Sequence, residues 1–507
     1  MGRDGALKRQ TEAELARRGI AVGDSSPQCV ICLDPDRAQA ALATPGMRRL
    51  VLRSHAYAYG SSPKNPGLMT EDRVSLLPPE APEQRWLRAE KAALAFPNAA
   101  VVRLTNVLDT DEGDLIVKQI SGHIGTSLAG RNPSVQFISV RDAARALAAA
   151  ADSSATGIFN ATGAGAIPLD KVFRAAGTTR IPAPGGLKRC PMQYNWTVSG
   201  ERAARDLGFT PEQSTTEALA EFLRNKKGGR PELLSPRYDD FGLDVDYIRA
   251  WGWWFAFLRK VYWRIEHEGI DNIPPAGGAM FVANHRGFMP LDAVMHLSLI
   301  LTHRGRITRF LIIPSLLRFP YLSTFLTKLG GVIACQENAV RLFDSGDLVG
   351  IFPEGIRGSF TPYKRTYKLR DFAKSAFARI AIENQVPIVP CAVIGHAEIF
   401  PIIGRIDSSY VVKEFGWPYL PIAPMFPLAP IPIPSKWHVR VLEPVGLQGL
   451  KPADAENVKL VRGFSRYIQD IVQRNIDDML PKRKSVFWGK VLNGSAPPTP
   501  RFDFSAT

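Results

Sequence analysis

The chain has 507 residues, 45% hydrophobic and 22% charged, with a formal net charge of +15. That length exceeds one ordinary core and implies two domains or more, and the composition excludes general disorder. The positive balance favours anionic partners. No zinc-finger spacing or RNA-binding signature accompanies it, so the expected partner is membrane lipid and not nucleic acid.

The opening residues are charged and hold no apolar signal-peptide core, and no run of about eighteen uninterrupted apolar residues follows. No conventional transmembrane helix is expected. Five cysteines, an odd number, are scattered along the chain. Cys29 and Cys32 lie in the strand-like Gln28-Cys29-Val30-Ile31-Cys32-Leu33, where their spacing points them to opposite faces and disfavours joint chelation. Reduced thiols and a peripheral place on the cytoplasmic face of a membrane are expected.

Arg53-Ser54-His55-Ala56-Tyr57-Ala58-Tyr59-Gly60 follows a strand-like run. Asn65-Pro66-Gly67-Leu68-Met69-Thr70-Glu71, Val102-Arg103-Leu104-Thr105-Asn106-Val107 and Gly157-Ile158-Phe159-Asn160-Ala161-Thr162-Gly163 come after it. These stretches resemble the extended short-chain dehydrogenase (NAD-dependent epimerase-like) family, which implies a truncated Rossmann-like domain over residues 1–225. The family's chemistry is altered here. A dinucleotide site needs a strand feeding a glycine-rich turn. In Met1-Gly2-Arg3-Asp4-Gly5-Ala6-Leu7-Lys8, Lys8 stands where the third glycine belongs. Leu87 stands where the family's tyrosine precedes a lysine, here Lys91, and His55 takes the serine position. A degenerate scaffold or interaction surface with no bound cofactor is expected.

Residues 226–240 are polar with glycine and proline and read as a linker. An aromatic amphipathic helix over 241–266 follows. Its projection puts Trp251, Trp254, Phe255, Phe257, Leu258, Val261, Tyr262 and Ile265 on one side, with Arg249, Lys260 and Arg264 opposite. That pattern suits a helix lying among lipid head groups. A helix packed on the next domain also wants an apolar stripe.

The next stretch, 267–450, holds the chemistry. Gly278-Ala279-Met280-Phe281-Val282-Ala283 reads as a buried strand. Asn284-His285-Arg286-Gly287-Phe288-Met289-Pro290-Leu291-Asp292 follows, with Pro290 suited to a helix start and Asp292 to its first turn. A histidine oriented by a carboxylate can take a proton from a hydroxyl; the plain alternative is a capping turn with a surface histidine. A second strand, Asp347-Leu348-Val349-Gly350-Ile351-Phe352, ends in Pro353-Glu354-Gly355-Ile356-Arg357-Gly358, and a third is Val386-Pro387-Ile388-Val389-Pro390-Cys391-Ala392-Val393.

In this order the three blocks resemble the glycerolipid acyltransferase family, typified by bacterial lysophosphatidate acyltransferase. The resemblance is closest to its monoacylglycerol-acyltransferase-like branch, on Gly269-Ile270-Asp271-Asn272-Ile273-Pro274, Arg318-Phe319-Pro320 and Pro432-Ile433-Pro434-Ser435-Lys436-Trp437. It spans about 265–447. It implies an α/β acyltransferase domain in which His285 and Asp292 are catalytic and Asn284, Arg286, Phe352, Pro353, Glu354, Gly355 and Arg357 bind substrate. The donor would be an acyl thioester, acyl-CoA or acyl-carrier protein, and the acceptor a lysophospholipid or acylglycerol hydroxyl. The family commonly separates His and Asp by four residues, whereas six lie between them here. The family also often has an arginine where this chain reads Cys335-Gln336-Glu337, which leaves room for a neutral acceptor.

An apolar, proline-rich stretch from Phe415 to Trp437 is read either as lining an acyl channel or dipping into the bilayer, or as a loop covering the sheet. Lys364, Arg365, Lys368 and Arg370 form a basic run suited to phosphates or merely to solvent. His296, His303, His396 and His438 have no metal spacing, and no metal is expected. A helix over 451–480 and a basic, then Ser/Pro-rich tail over 481–507 close the chain. Two other readings stand beside the acyltransferase: a catalytically silent membrane-associated lipid-binding protein, and an NAD-dependent sugar-nucleotide epimerase or dehydratase.

Overall fold

The short apolar runs of the first half become parallel strands. The computed structural model describes residues 5–23, 27–110, 114–184, 191–236, 238–372, 375–428, 431–494 and 496–499. Gly2, in the expected glycine-rich turn, and most of the Ser/Pro-rich tail lie outside them. The chain divides into two units, Met1–Leu243 with Leu317–Thr327, and Asp244–Leu316 with Lys328–Thr507.

In the first unit β1 (Cys29–Cys32), β2 (Arg49–His55), β3 (Ala99–Leu104) and β4 (Gly157–Ala161) form a parallel sheet in that order. Leu7 of α1 (Ala6–Arg17) and Ala143 and Leu147 of α3 (Val140–Asp152) pack with Val51, Val102 and Phe159 on one face. Ala89 and Ala93 of α2 (Gln84–Leu94) meet Val30, Leu50 and Leu52 on the other. This is the Rossmann-like layering that the sequence implied. Cys29 packs with the first face and Cys32 with the second, as strand alternation requires.

The stretch 226–240 does not behave as a free linker. The Arg230 amide donates to the Ala175 carbonyl at 2.7 Å, and Leu234 and Tyr238 pack against the first unit's core. A Cβ on Gly177 would stand 2.1 Å from the Gly228 carbonyl oxygen, so glycine serves close approach here.

The second unit holds a sheet ordered β5 (Glu266–Glu268), β11 (His438–Val441), β10 (Ile388–Ile394), β6 (Ala279–Ala283), β9 (Leu348–Ile351), β7 (Thr308–Ile312), β8 (Val332–Ile333). From β10 to β8 all neighbours are parallel, and β11 runs antiparallel to β10. The long helix α7 (Val458–Met479) buries Val472, Ile476 and Met479 against Ala392 and Ile394 of β10. Its apolar residues recur at helical spacing, which is why sequence alone located it.

Helix α4 (Val245–Phe257) starts at Asp244, whose carboxylate accepts from the Tyr247 amide at 3.0 Å. It passes into a π-type turn over Leu258–Tyr262, closed by the Trp263 amide on the Leu258 carbonyl. The projected face is divided, with Trp251, Trp254, Phe257 and Val261 exposed and two of its members in the core. Phe255 is 3% exposed and Leu258 is buried, whereas Trp253, left out of the projection, is 71% exposed. Among the described residues no helix is long and apolar enough to cross a membrane.

Candidate active site

The site forms where β6 and β9, neighbours in the parallel sheet, reach their carboxyl ends. That crevice is where open α/β sheets place ligands. Ala283 ends β6, and Asn284 carries the ladder one residue further with its side chain. Its amide donates to the Val393 carbonyl at 3.0 Å, and its oxygen accepts from the Val393 amide at 2.8 Å. The chain then turns back through Gly287, at φ +81°, to Pro290, the N-cap of helix α5 (Leu291–Arg304).

Asp292 lies fully buried in the first turn of α5, where the helix dipole favours a carboxylate. Its Oδ2 stands 2.5 Å from His285 Nδ1, and its Oδ1 accepts from the Ala293 amide at 2.8 Å. The six intervening residues therefore still bring acid and imidazole together. The Phe352 ring stacks on the imidazole, centroids 4.5 Å apart and 19° from parallel. Phe310 stacks behind Phe352 at 5.3 Å. An Nδ1–H donated to Asp292 leaves Nε2 as the acceptor nitrogen, the tautomer a general base needs. The His285 side chain is 16% exposed, so a substrate can reach it.

Three residues expected to contact substrate are turned inward instead. Arg286 and Glu354 pair at 2.6 Å with both side chains buried. Arg286 also donates to the carbonyls of His285, Thr366 and Lys368. Glu354 accepts the Arg370 amide at 2.7 Å. A buried charge persists only when paired and hydrogen-bonded, which this network achieves. Asn284 is spent on β10. These three set the shape of the site and present no free polar group to a ligand.

Pro353 and Gly355 form the turn out of β9, Gly355 at φ +56°, and α6 (Gly355–Ser359) displays Arg357. Arg357 is exposed and in no ion pair among the described residues. The basic run folds over the Arg286–Glu354 pair with its backbone inward, and leaves Lys364, Arg365, Lys368 and Arg370 exposed.

Sequence reasoning missed an aromatic cluster around Phe288, just beyond His285. Phe426 lies 4.4 Å from it between ring centroids, Phe400 5.0 Å and Trp417 6.1 Å. The proline-rich stretch thus lays rings beside the His285 loop, while Met425, Leu428 and Ile431 remain exposed. It missed as well a buried lock in which Glu398 accepts from Tyr367 at 2.7 Å and Arg483 at 2.6 Å. Contacts so far apart in the chain leave no local signal. His296, one turn beyond Asp292, is buried, and burial pushes its pKa down to about 4. Burial, then the Arg286 charge, holds His396 well below the usual histidine value. Among the described residues no cluster of metal-ligating side chains exists.

The first unit has a cleft of about 640 Å³ lined by His55, Trp86, Asp114, Lys118 and Trp196. His55 uses both ring nitrogens, Nε2 toward Asp114 at 3.0 Å and Nδ1 accepting from the Tyr57 amide at 2.9 Å. Leu87 packs against the core and Lys91 is exposed, so no tyrosine–lysine pair stands there.

The acyltransferase family model matches residues 264–394. An uncharacterised protein of Mycobacterium leprae is 31% identical over 305 residues, 58% of this chain and 79% of that protein. The DGAT1/2-independent enzyme synthesizing storage lipids of Bos taurus is 27% identical over 164 residues, 32% of this chain and 48% of that protein. Among solved structures, MoeE5 in complex with UDP-glucuronic acid and NAD is 19% identical with a TM-score of 0.36, covering 45% of this chain and 95% of that one.

Proposed function

Because the chain belongs to the acyltransferase family, we propose that it moves a fatty acyl group from acyl-CoA or acyl-carrier protein to a lipid hydroxyl at a membrane surface. The observation that carries this reading is the imidazole of His285, held by Asp292 on one edge and Phe352 on one face with Nε2 left over. Nε2 takes the proton of the acceptor hydroxyl as its oxygen bonds to the thioester carbonyl carbon. The carbon–sulfur bond then breaks, and the proton passes to the departing thiolate. Asp292 stabilises the imidazolium between these steps.

Arg357 and the exposed basic run suit the phosphates of the donor. With Arg286 committed to Glu354 and no arginine in Cys335-Gln336-Glu337, a neutral acylglycerol is the favoured acceptor. The rings around Phe288 suit an acyl chain. The exposed Trp253, Trp254 and Phe257 of α4 support a peripheral place on a bilayer. The purified chain incubated with labelled palmitoyl-CoA and a panel of lysophosphatidate, monoacylglycerol, diacylglycerol and fatty alcohol tests the assignment. Labelled ester from monoacylglycerol is expected, and ester from lysophosphatidate alone would reverse the choice of acceptor.

A further inference from the structure

The stretch after α7 is pinned at both ends. The Lys436 amide donates to the Val486 carbonyl at 2.8 Å, and the Asn493 and Gly494 amides donate to Glu268 at 3.1 and 3.2 Å. Val491 is buried beside Met479. Between the pins, Ser485 Oγ accepts from the Phe487 and Trp488 amides at 3.1 and 3.3 Å. The turn so made displays Phe487 at 43% and Trp488 at 67% exposure. The turn thus presents two large rings to water while the nearby Val491 fills the core.

This turn is continuous with the aromatic end of α4. The Arg264 guanidinium lies 4.7 Å over the Trp488 ring and donates to the Phe487 carbonyl at 3.0 Å. Its other nitrogen donates to the Tyr262 carbonyl at 2.8 Å. Tyr262 neighbours Phe257, which stacks with Trp254 at 5.2 Å. Neither 250–265 nor 481–494 contains an aspartate or glutamate, and Lys260, Lys484 and Lys490 are exposed along them.

We propose that the Ser485–Lys490 turn is a second membrane anchor, which joins α4 in one aromatic and cationic rim for an anionic lipid bilayer. The proposal rests on the membrane-surface reading of α4 and extends it to a segment not read as lipid-binding from sequence. Indole and phenyl rings favour the head-group boundary, and a rim with cations but no carboxylates is complementary to anionic lipid.

The full chain is floated with vesicles of phosphatidylcholine and with vesicles of equimolar phosphatidylcholine and phosphatidylglycerol. Two variants are compared, Phe487→Ser with Trp488→Ser, and Lys484→Glu with Lys490→Glu. The aromatic variant is expected to lose roughly tenfold in partition on both vesicles, since its side chains bury apolar area there. The charge variant loses a similar factor on anionic vesicles alone, roughly tenfold. Unchanged partition of the aromatic variant overturns the proposal. So does a loss that appears as dissociation of self-associated chains in solution, which would make the rim a protein contact. Transfer to detergent-dispersed acceptor is measured in parallel. Absence of transfer by the unaltered chain defeats the enzymatic reading and leaves the partition result intact.

Discussion

Arg286 Nη1 and Glu354 Oε1 lie 2.6 Å apart, with the two side chains 1% and 0% exposed. The pair ties the loop after β6 to the turn after β9, so the two strand ends that build the site are fastened by charge. Glu354→Ala strands a buried guanidinium and should cost about 3–5 kcal/mol of stability, read by chemical denaturation. Arg357→Ala removes an exposed side chain and should leave the melting temperature unchanged while raising KM for the acyl donor. Equal stability loss in both variants would contradict the division of roles.

Asp292→Asn preserves shape but removes the charge that orients His285. Transfer should fall roughly 10²–10⁴-fold with the fold intact by circular dichroism. A variant as active as the parent would remove Asp292 from the mechanism.

Acid should destabilise the second unit through His296. Its folded pKa, pushed down to about 4 from an ordinary 6.5 by burial, lies below its unfolded value. Between those values the unfolded chain binds a proton the folded protein excludes, so stability rises with pH through this window and is lost as pH falls. The slope from this one group is at most about 1.4 kcal/mol per pH unit. Denaturation series from pH 7 to pH 5 should show it, and His296→Gln should flatten it by one proton.

Membrane partition should follow the exposed face of α4. Trp253→Ser with Trp254→Ser and Phe257→Ser should release the chain from anionic vesicles without unfolding it. Phe255→Ser should lower the melting temperature instead, because Phe255 is in the core.

The strands β6, β9 and β10 and the His285–Asp292 contact were legible in the sequence because these strands are short apolar runs bounded by glycine, proline or charge. Those boundaries put His285 and Glu354 at strand ends, and the ladder did the rest. The Arg286–Glu354 pair was not legible. Two charges at strand ends read as ligand contacts until burial shows that they neutralise each other. The α4 projection put Phe255 among the lipid-facing rings and left out Trp253. Periodicity marks an apolar stripe but does not show which of its residues pack on the rest of the unit, and Phe255 is in the core while Trp253 is exposed. The Trp488 anchor depends on Arg264, more than two hundred residues away, and no local pattern encodes that contact.

The most direct measurement is single-turnover acyl transfer from labelled palmitoyl-CoA to monoacylglycerol by the parent chain and by His285→Ala, with vesicle partition and melting temperature recorded for both. The parent should form labelled ester, and the variant should lose at least about a hundredfold in rate with binding and stability unchanged. A variant that still transfers acyl groups at the parent's rate would contradict the role given to His285.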